Sequence, residues 1–508
     1  MQKRVMNLVN FVRGCEPRVP DMDLYTPVIE EIKINKEFGF DNTFLLQYDA
    51  LVREDFQRLF KEQKDDRMEL GVWFEMCRQQ VETVGIEWRG RPGYDWDWYV
   101  NPGFLPSYTP AQREAIIDET FRLFKEVFGY YPSVAGSWLL DAHSMAYMSE
   151  KYDMKAFCIC REQWAVDAYT LWGGYYSGGY FASRNNMVCP AQTEENTIKT
   201  PVYRMLGLDP TYGYDSFKYT DGKLSGCPTM EPAWASGRDS DIMDWYFNVY
   251  YKNPCLAQAE ATTGQENSFG WNNIEHGYRL QCDKLKALQE SGDVVVQKLG
   301  DTGADMMAAA KFTPATALVA TEDWAHEPGD PRYCRSVWYS CMNYRANLFM
   351  RGDKVIFRDM QKFDERYTER YMVDPCTEWD ARFDNLPIVD AFIWSNEDGA
   401  CELAIDGSFT GMSAEEQDQT LAVTLTYADG HESQVIFAPE CITLVGCGTA
   451  HYRLGTPEST TITHDGNTIC GDHVGFAYRV PTNGLTVVDG GYDLPGIDGK
   501  ITFDFTVR

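Results

Sequence analysis

Nowhere in the 508 residues is there a run near the roughly 18 consecutive apolar residues that a membrane-crossing helix needs. Positive charge is also scarce. Lys and Arg number 46 against 76 Asp and Glu, a formal net charge of -30, and a field of that sign repels nucleic acids and anionic membrane surfaces. Histidine is rarer still: there are seven, none three or four positions from another, so no local imidazole pair offers itself to a metal. Neither a GxSxG elbow nor an HExxH helix occurs, which removes the usual markers of serine acyl transfer and zincin proteolysis. No glycine-rich phosphate fingerprint follows a strand-like segment, and no low-complexity tract or internal repeat breaks the chain. What remains as ligand is a neutral or cationic small molecule, or a neutral polymer.

The fifteen cysteines are odd in number and follow no paired framework. Cys158 and Cys160 flank Ile159 in an apolar run, where free thiols pack as small hydrophobes. The N-terminal stretch MQKRVMNLVNFVRGCEPR is basic, but Asn7 and Asn10 interrupt its apolar segment and Arg13 ends it, a poor core for a secretory signal. Both features predict a reducing, cytoplasmic setting. Aromatic rings, by contrast, are plentiful, at 14% of residues with 14 Trp and 30 Tyr. Flat amphipathic rings suit the apolar C–H faces and polar edges of sugars, and they fill cores equally well.

The first 300 residues alternate strand and helix patterns. Strands are expected at Val5–Phe11, Asn42–Gln47, Leu70–Phe74, Val134–Leu140, Ala156–Cys160, Val202–Leu206, Ala257–Thr263 and Val294–Leu299. Helices are expected at Leu24–Phe38, Glu54–Gln63 and Ser144–Lys151. A longer one is punctuated by Thr109 as N-cap, Pro110, Gln112 and a closing Gly129. Asn272 and Glu275 form a capping-box pattern ahead of another. Repeated βα units imply a parallel sheet under helices, and seven or eight of them fit a closed barrel. From about Pro314 the pattern turns to short alternating runs: Ser336–Asn347, Lys354–Arg358, Leu421–Tyr427, Gln434–Phe437, Ile442–Val445, Thr486–Val488 and Ile501–Val507. The reading is α/β: a catalytic (β/α)7-8 TIM-like barrel over residues 1–312, then a β-rich, sandwich-like domain over 313–508.

Residues just past the C-terminal strand ends of a parallel barrel converge on one face. Those positions hold Arg13 and Glu16, Asp49, Glu75, Asp141 and His143, Arg161 and Glu162, Arg204 and Asp209, then Glu266 and Asn267. The intervening loops are rich in rings, with Asp97 and Trp98 in one, Trp172 in another, and Trp271 closing the segment that carries Glu266. Carboxylates among rings are what glycoside hydrolysis requires: an acid, a base or nucleophile, and walls that hold the sugar. Asp141 is equally placed to cap the helix that follows it. Glu266 stands several residues ahead of its helix and is freer of that duty, so it is the leading catalytic candidate. Asp49, Glu75, Asp97, Trp98, Arg161, Glu162, Trp172, Asn267 and Trp271 are read as substrate-binding.

The stretches NLVNFVRGCEPR, NTFLLQYDAL, GYDWDWYVNPGF, GSWLLDAHSMAYMSEKY, FCICREQW, CPAQT and GQENSFGW together resemble a family of gut-bacterial proteins built from paired domains of unknown function. That family is similar to the glycoside hydrolase/deacetylase superfamily of (β/α) barrels with trailing β domains. The resemblance covers the barrel well and the C-terminal module loosely. Polysaccharide deacetylases use an early Asp, matched at best by Asp49, with an HxxxH-type pair that is absent here. The zinc-dependent α-mannosidases carry His-x-Asp after the first strand, where this chain has Arg13-Gly14-Cys15-Glu16. The metal-free branch resembling family 57 glycosidases has one carboxylate after strand four and another after strand seven, the places of Asp141 and Glu266. The resemblance thus implies Asp141 as nucleophile or base and Glu266 as acid, with residue types exchanged relative to the usual Glu then Asp.

The sequence therefore predicts a bacterial glycosidase that cleaves a glycosidic bond with paired carboxylates, Asp141 and Glu266, without cofactor or metal. Its partner is a carbohydrate, and self-association is left open. A metal-dependent carbohydrate deacetylase or esterase, with a cation near Asp49 and His143, is the first alternative. A non-catalytic carbohydrate-binding protein is the second.

Overall fold

The computed structural model describes residues 1, 3–160, 173–205, 207, 209–215, 229–382, 384–390, 401–455, 457 and 459–507. The first half builds a parallel sheet around β1 (Arg4–Val12), followed by β2 (Asn42–Gln47), β3 (Met68–Trp73), β4 (Val134–Gly136), β5 (Ala156–Cys160), β6 (Val202–Met205), β7 (Ala259–Thr263) and β8 (Val295–Val296). Ladders run from β1 through β6 in order, and β7 returns to pair with β1, Val5 opposite Glu260. β8 pairs only with the first half of β1, on the edge that β2 takes further along. Among the described residues no ladder joins β6 to β7, so the barrel is nearly closed.

β1 is buried at every residue after Arg4, as a strand covered by helices on one side and a filled interior on the other must be. The helix α1 (Tyr25–Phe38) stops at Gly39, whose φ of 68° lets its N–H turn back to the carbonyls of Asn35 and Lys36. The expected punctuation of α2 (Pro110–Phe128) is present: Thr109 and Gln112 form a reciprocal capping box. Other boundaries moved. β4 stops at Gly136 rather than Leu140; at Gly136 the backbone runs so close to its neighbours that a Cβ would lie 2.6 Å from Leu45 and 2.8 Å from the Trp73 ring. The Asn272/Glu275 cap is not used; the helix begins at Trp271 behind Gly270 and has no side-chain cap. The stretch expected as strand Val294–Leu299 splits, with Leu299 opening a helix to Ala309.

All later sheets are antiparallel, from Thr316–Ala320 onward. The expected strand Ser336–Asn347 is a hairpin, Cys334–Ser340 with Tyr344–Arg351. A nine-stranded and a five-stranded sheet share one core, where Tyr339 stacks on Phe437 at 5.4 Å, and a three-stranded sheet packs beside them. Strand Thr420–Tyr427 alternates buried and half-buried residues throughout, the period-2 signature of a sheet with one covered face. The fold class read from the sequence, a barrel followed by a β-rich region, is the one observed.

Within the β-rich region, residues 363–382 lie back against the barrel. Glu365 accepts from the Gln192 and Thr193 N–H groups, Glu369 accepts from those of Ala142 and Met187, and Val100 N–H donates to the Trp379 carbonyl. Every described cysteine is free, and no described helix is long and apolar enough to cross a membrane.

Candidate active site

Three strand ends meet in one ion-paired cluster. Arg13, just past β1, sends Nε and Nη2 to Glu75, just past β3, at 2.9–3.2 Å. Its Nη1 reaches Oε1 of Glu266, past β7, at 2.9 Å, and the Ser268 hydroxyl at 3.2 Å. The Trp73 and Trp138 indole N–H groups also donate to Glu75, one to each oxygen, at 2.9 and 3.1 Å. These two rings and Phe11 pack mutually at centroid distances of 4.5–5.2 Å and floor the cluster. Glu75 is fully buried with every lone-pair direction engaged. It holds the Arg13 guanidinium, a contact that its place beside strand β3 alone did not reveal.

Arg13 is fixed from other sides as well. Its guanidinium lies 4.2 Å from the Trp96 ring centroid, a favourable cation–π placement. Asn267 clamps its backbone, accepting from the Arg13 N–H and donating to its carbonyl. Gly14 lets the chain cross the Asp49 backbone, where a Cβ would sit 2.4 Å from the Asp49 carbonyl. The result is a rigid cation paired with Glu266, whose Oε1 also accepts from Ser268 Oγ at 2.6 Å.

A further carboxyl group stands on the adjoining loop. Gln265 accepts from the Ala233 N–H and donates to Oε1 of Glu231 at 3.0 Å, while Thr229 and the Trp234 indole reach the other oxygen. Glu231 is buried, and burial, reinforced by the nearby charge of Glu266, pushes its carboxyl up to about 8. The two carboxyl groups thus have opposed environments: Glu266 is salt-bridged to Arg13, and burial favours the protonated form of Glu231.

The remaining sequence-derived positions divide. Asp141 caps the helix α3 (Ala142–Lys151), accepting from the Ser144 N–H and hydroxyl, and pairs with the buried Arg113 at 2.9 Å. It shares no described partner with Glu266. Asp97 is fully buried and bidentate to Arg91, whereas Trp98 is half-buried beneath that guanidinium. Trp271 opens its helix, partly buried against the core. Asp49 accepts from the Cys15 N–H and lines a cavity of about 560 Å³ with Cys15, Cys77, Arg53 and Arg78. Burial raises its carboxyl despite those hydrogen bonds. Arg161, Glu162 and Trp172 lie outside the described residues.

The donor set for a cation near Asp49 and His143 does not fit. His143 Nε2 is 3.0 Å from Glu114 on α2, and Asp49 is turned to the loop after β1. Among the described residues no three His, Cys, Asp or Glu side chains converge to hold a metal ion.

Comparison with solved structures falls on the same architecture. A candidate glycoside hydrolase/deacetylase from Parabacteroides distasonis superposes with a TM-score of 0.51 at 12% identity, covering 74% of this chain and 90% of that one. The chain has that barrel fold. A candidate polysaccharide deacetylase from Mycobacterium smegmatis aligns with a TM-score of 0.36 at 11% identity, covering 60% of this chain and 91% of that one. A Pseudomonas aeruginosa polysaccharide deacetylase candidate aligns at 0.36 and 13% identity, covering 59% and 89%. No protein-family model and no curated protein matches the sequence.

Glu231 had no signal in the sequence. It lies at no predicted strand end, precedes a helix (Ser240–Tyr251) that the periodicity did not reveal, and is tied to the Glu266 segment by the tertiary contact of Gln265. Arg13 was visible as a strand-end residue, but its task as the bridge between two carboxylates was not.

Proposed function

We propose that this chain is a glycosidase whose working carboxyl pair is Glu266 and Glu231. The observation that carries the reading is their divergent environments: one group is ion-paired by Arg13, the other is buried, bonded to Gln265 next to Glu266 in the chain, and pushed up to about 8. Glycoside cleavage needs that pair. A protonated carboxyl gives its proton to the departing oxygen, while a carboxylate attacks the anomeric carbon or takes a proton from the water that does. Glu231 is the acid and Glu266 the carboxylate. This reverses the role expected for Glu266 and sets Asp141 aside, since Asp141 caps α3, pairs with Arg113 and shares no described partner with Glu266. The barrel fold shared with a protein named for glycoside hydrolase/deacetylase chemistry supports a carbohydrate substrate. The deacetylase alternative lacks a cation donor set among the described residues.

The test is a panel of aryl glycosides with good and poor leaving groups, read with wild type, Glu266→Gln and Glu231→Gln. Glu266→Gln is expected to lose turnover on all of them. Glu231→Gln should lose roughly 10²–10⁴-fold on poor leaving groups and little on good ones, because only the former need the proton. Wild-type kcat/KM should fall on an alkaline limb near pH 8, absent in Glu231→Gln. Unchanged turnover in Glu266→Gln on a true substrate ends the assignment.

A further inference from the structure

A line of rings leaves the carboxylate cluster and rises to the surface. Trp96, fully buried under Arg13, meets Trp98 at a centroid distance of 6.1 Å. Trp98 meets Tyr99 at 5.8 Å, and Tyr99 meets Trp379 at 3.9 Å, edge to face. Exposure grows along the line: Trp98 and Tyr99 are half-buried, and Trp379 is 51% exposed. The last ring comes from a segment after the barrel, anchored by Val100 N–H to the Trp379 carbonyl, by Asn101 to the Thr377 carbonyl and by the edge contact with Tyr99, which still leaves half of the indole in water.

The charged groups beside Trp98 are ion pairs. Arg91 lies 3.9 Å over Trp98 and is held at both ends by Asp97; Arg18 lies 5.1 Å from the same ring and is held by Glu16. At the outer end Glu378 and Asp380 stand exposed on either side of Trp379, so among the described residues the track carries no free cation of its own beside these rings and ends acidic, on a chain whose overall charge is -30. A polyanionic sugar is repelled by that field, and a monosaccharide at Glu266 cannot reach Trp379. We infer that the substrate is an extended neutral glycan, laid along Trp98, Tyr99 and Trp379 with one end at the carboxylate cluster. The inference rests on the glycosidase reading and adds the class of sugar to it.

Affinity electrophoresis of the full chain tests it, in gels containing soluble xylan, mannan, mixed-linkage β-glucan or starch, with polygalacturonate as the anionic comparison. Wild type is expected to be retarded by at least one neutral polymer and not by polygalacturonate. Trp379→Ala should weaken that retardation roughly two- to twelvefold, and Trp379→Phe, which keeps a ring, should retain most of it. Retardation without turnover on any glycoside would support the track while removing the glycosidase reading. Turnover of aryl monosaccharides with no retardation in any neutral gel would overturn the track and leave that reading standing. Equal retardation of wild type and Trp379→Ala, or retardation by polygalacturonate alone, also overturns it.

Discussion

Replacing Glu75 by Gln asks whether Arg13 is held as tightly as its surroundings imply. The carboxylate accepts from Arg13 through two nitrogens and from the indoles of Trp73 and Trp138, and Arg13, Glu75 and Trp73 are inaccessible to solvent. A glutamine supplies one acceptor oxygen and turns its NH₂ toward either a guanidinium or an indole N–H, donor against donor. Breaking one side of a buried ion pair costs about 3–5 kcal/mol. Glu266 still faces Arg13, so the low end, about 3 kcal/mol, is expected. Amide hydrogen exchange reads the loss at the strands that carry the pair. Peptides covering β1 and β3 should exchange roughly 150-fold faster in Glu75→Gln. Exchange within threefold of wild type would refute the reasoning.

Asp141→Ala removes a helix cap and leaves Arg113 buried without its carboxylate, so the melting temperature should fall, with a loss of about 3 kcal/mol or more. Its kcat on glycosides, measured well below the new melting temperature, should stay near wild type; a lost kcat with an unchanged melting temperature would return Asp141 to the chemistry. Glu369, where residues 363–382 meet α3, is raised to about 8 by burial and by the adjacent Asp141 charge. The folded state therefore keeps a proton that the unfolded chain releases, so this contribution is full below about pH 4.5 and is lost as pH rises towards about 8. Melting temperatures from pH 5 to 9 should fall less steeply in Glu369→Gln, and parallel slopes would exclude the effect.

The sequence spoke most clearly where one principle acts alone. β2, β5 and the helix Glu54–Gln63 follow from periodicity, and α2 from its capping residues. It misled where tertiary packing decides, as at Gly136, where the strand stops against Leu45 and Trp73, well before the expected end at Leu140. The strand-end rule gathered Arg13, Glu75 and Glu266 correctly onto one face, since parallel strands aim their C-terminal ends together. It could not say which carboxylate orients and which reacts. Glu75 and Asp141 are the same kind of residue in the same kind of place, yet four donors saturate one and a helix terminus with Arg113 occupies the other. Glu231 became visible only with its neighbour Gln265 in place.

A structure of the Glu266→Gln protein with a neutral oligosaccharide bound tests the central claim most directly. The account predicts the scissile oxygen within hydrogen-bond reach of Glu231, roughly 3 Å, and the anomeric carbon facing residue 266. A sugar whose anomeric carbon sits against Asp141, or away from Arg13 altogether, would contradict it.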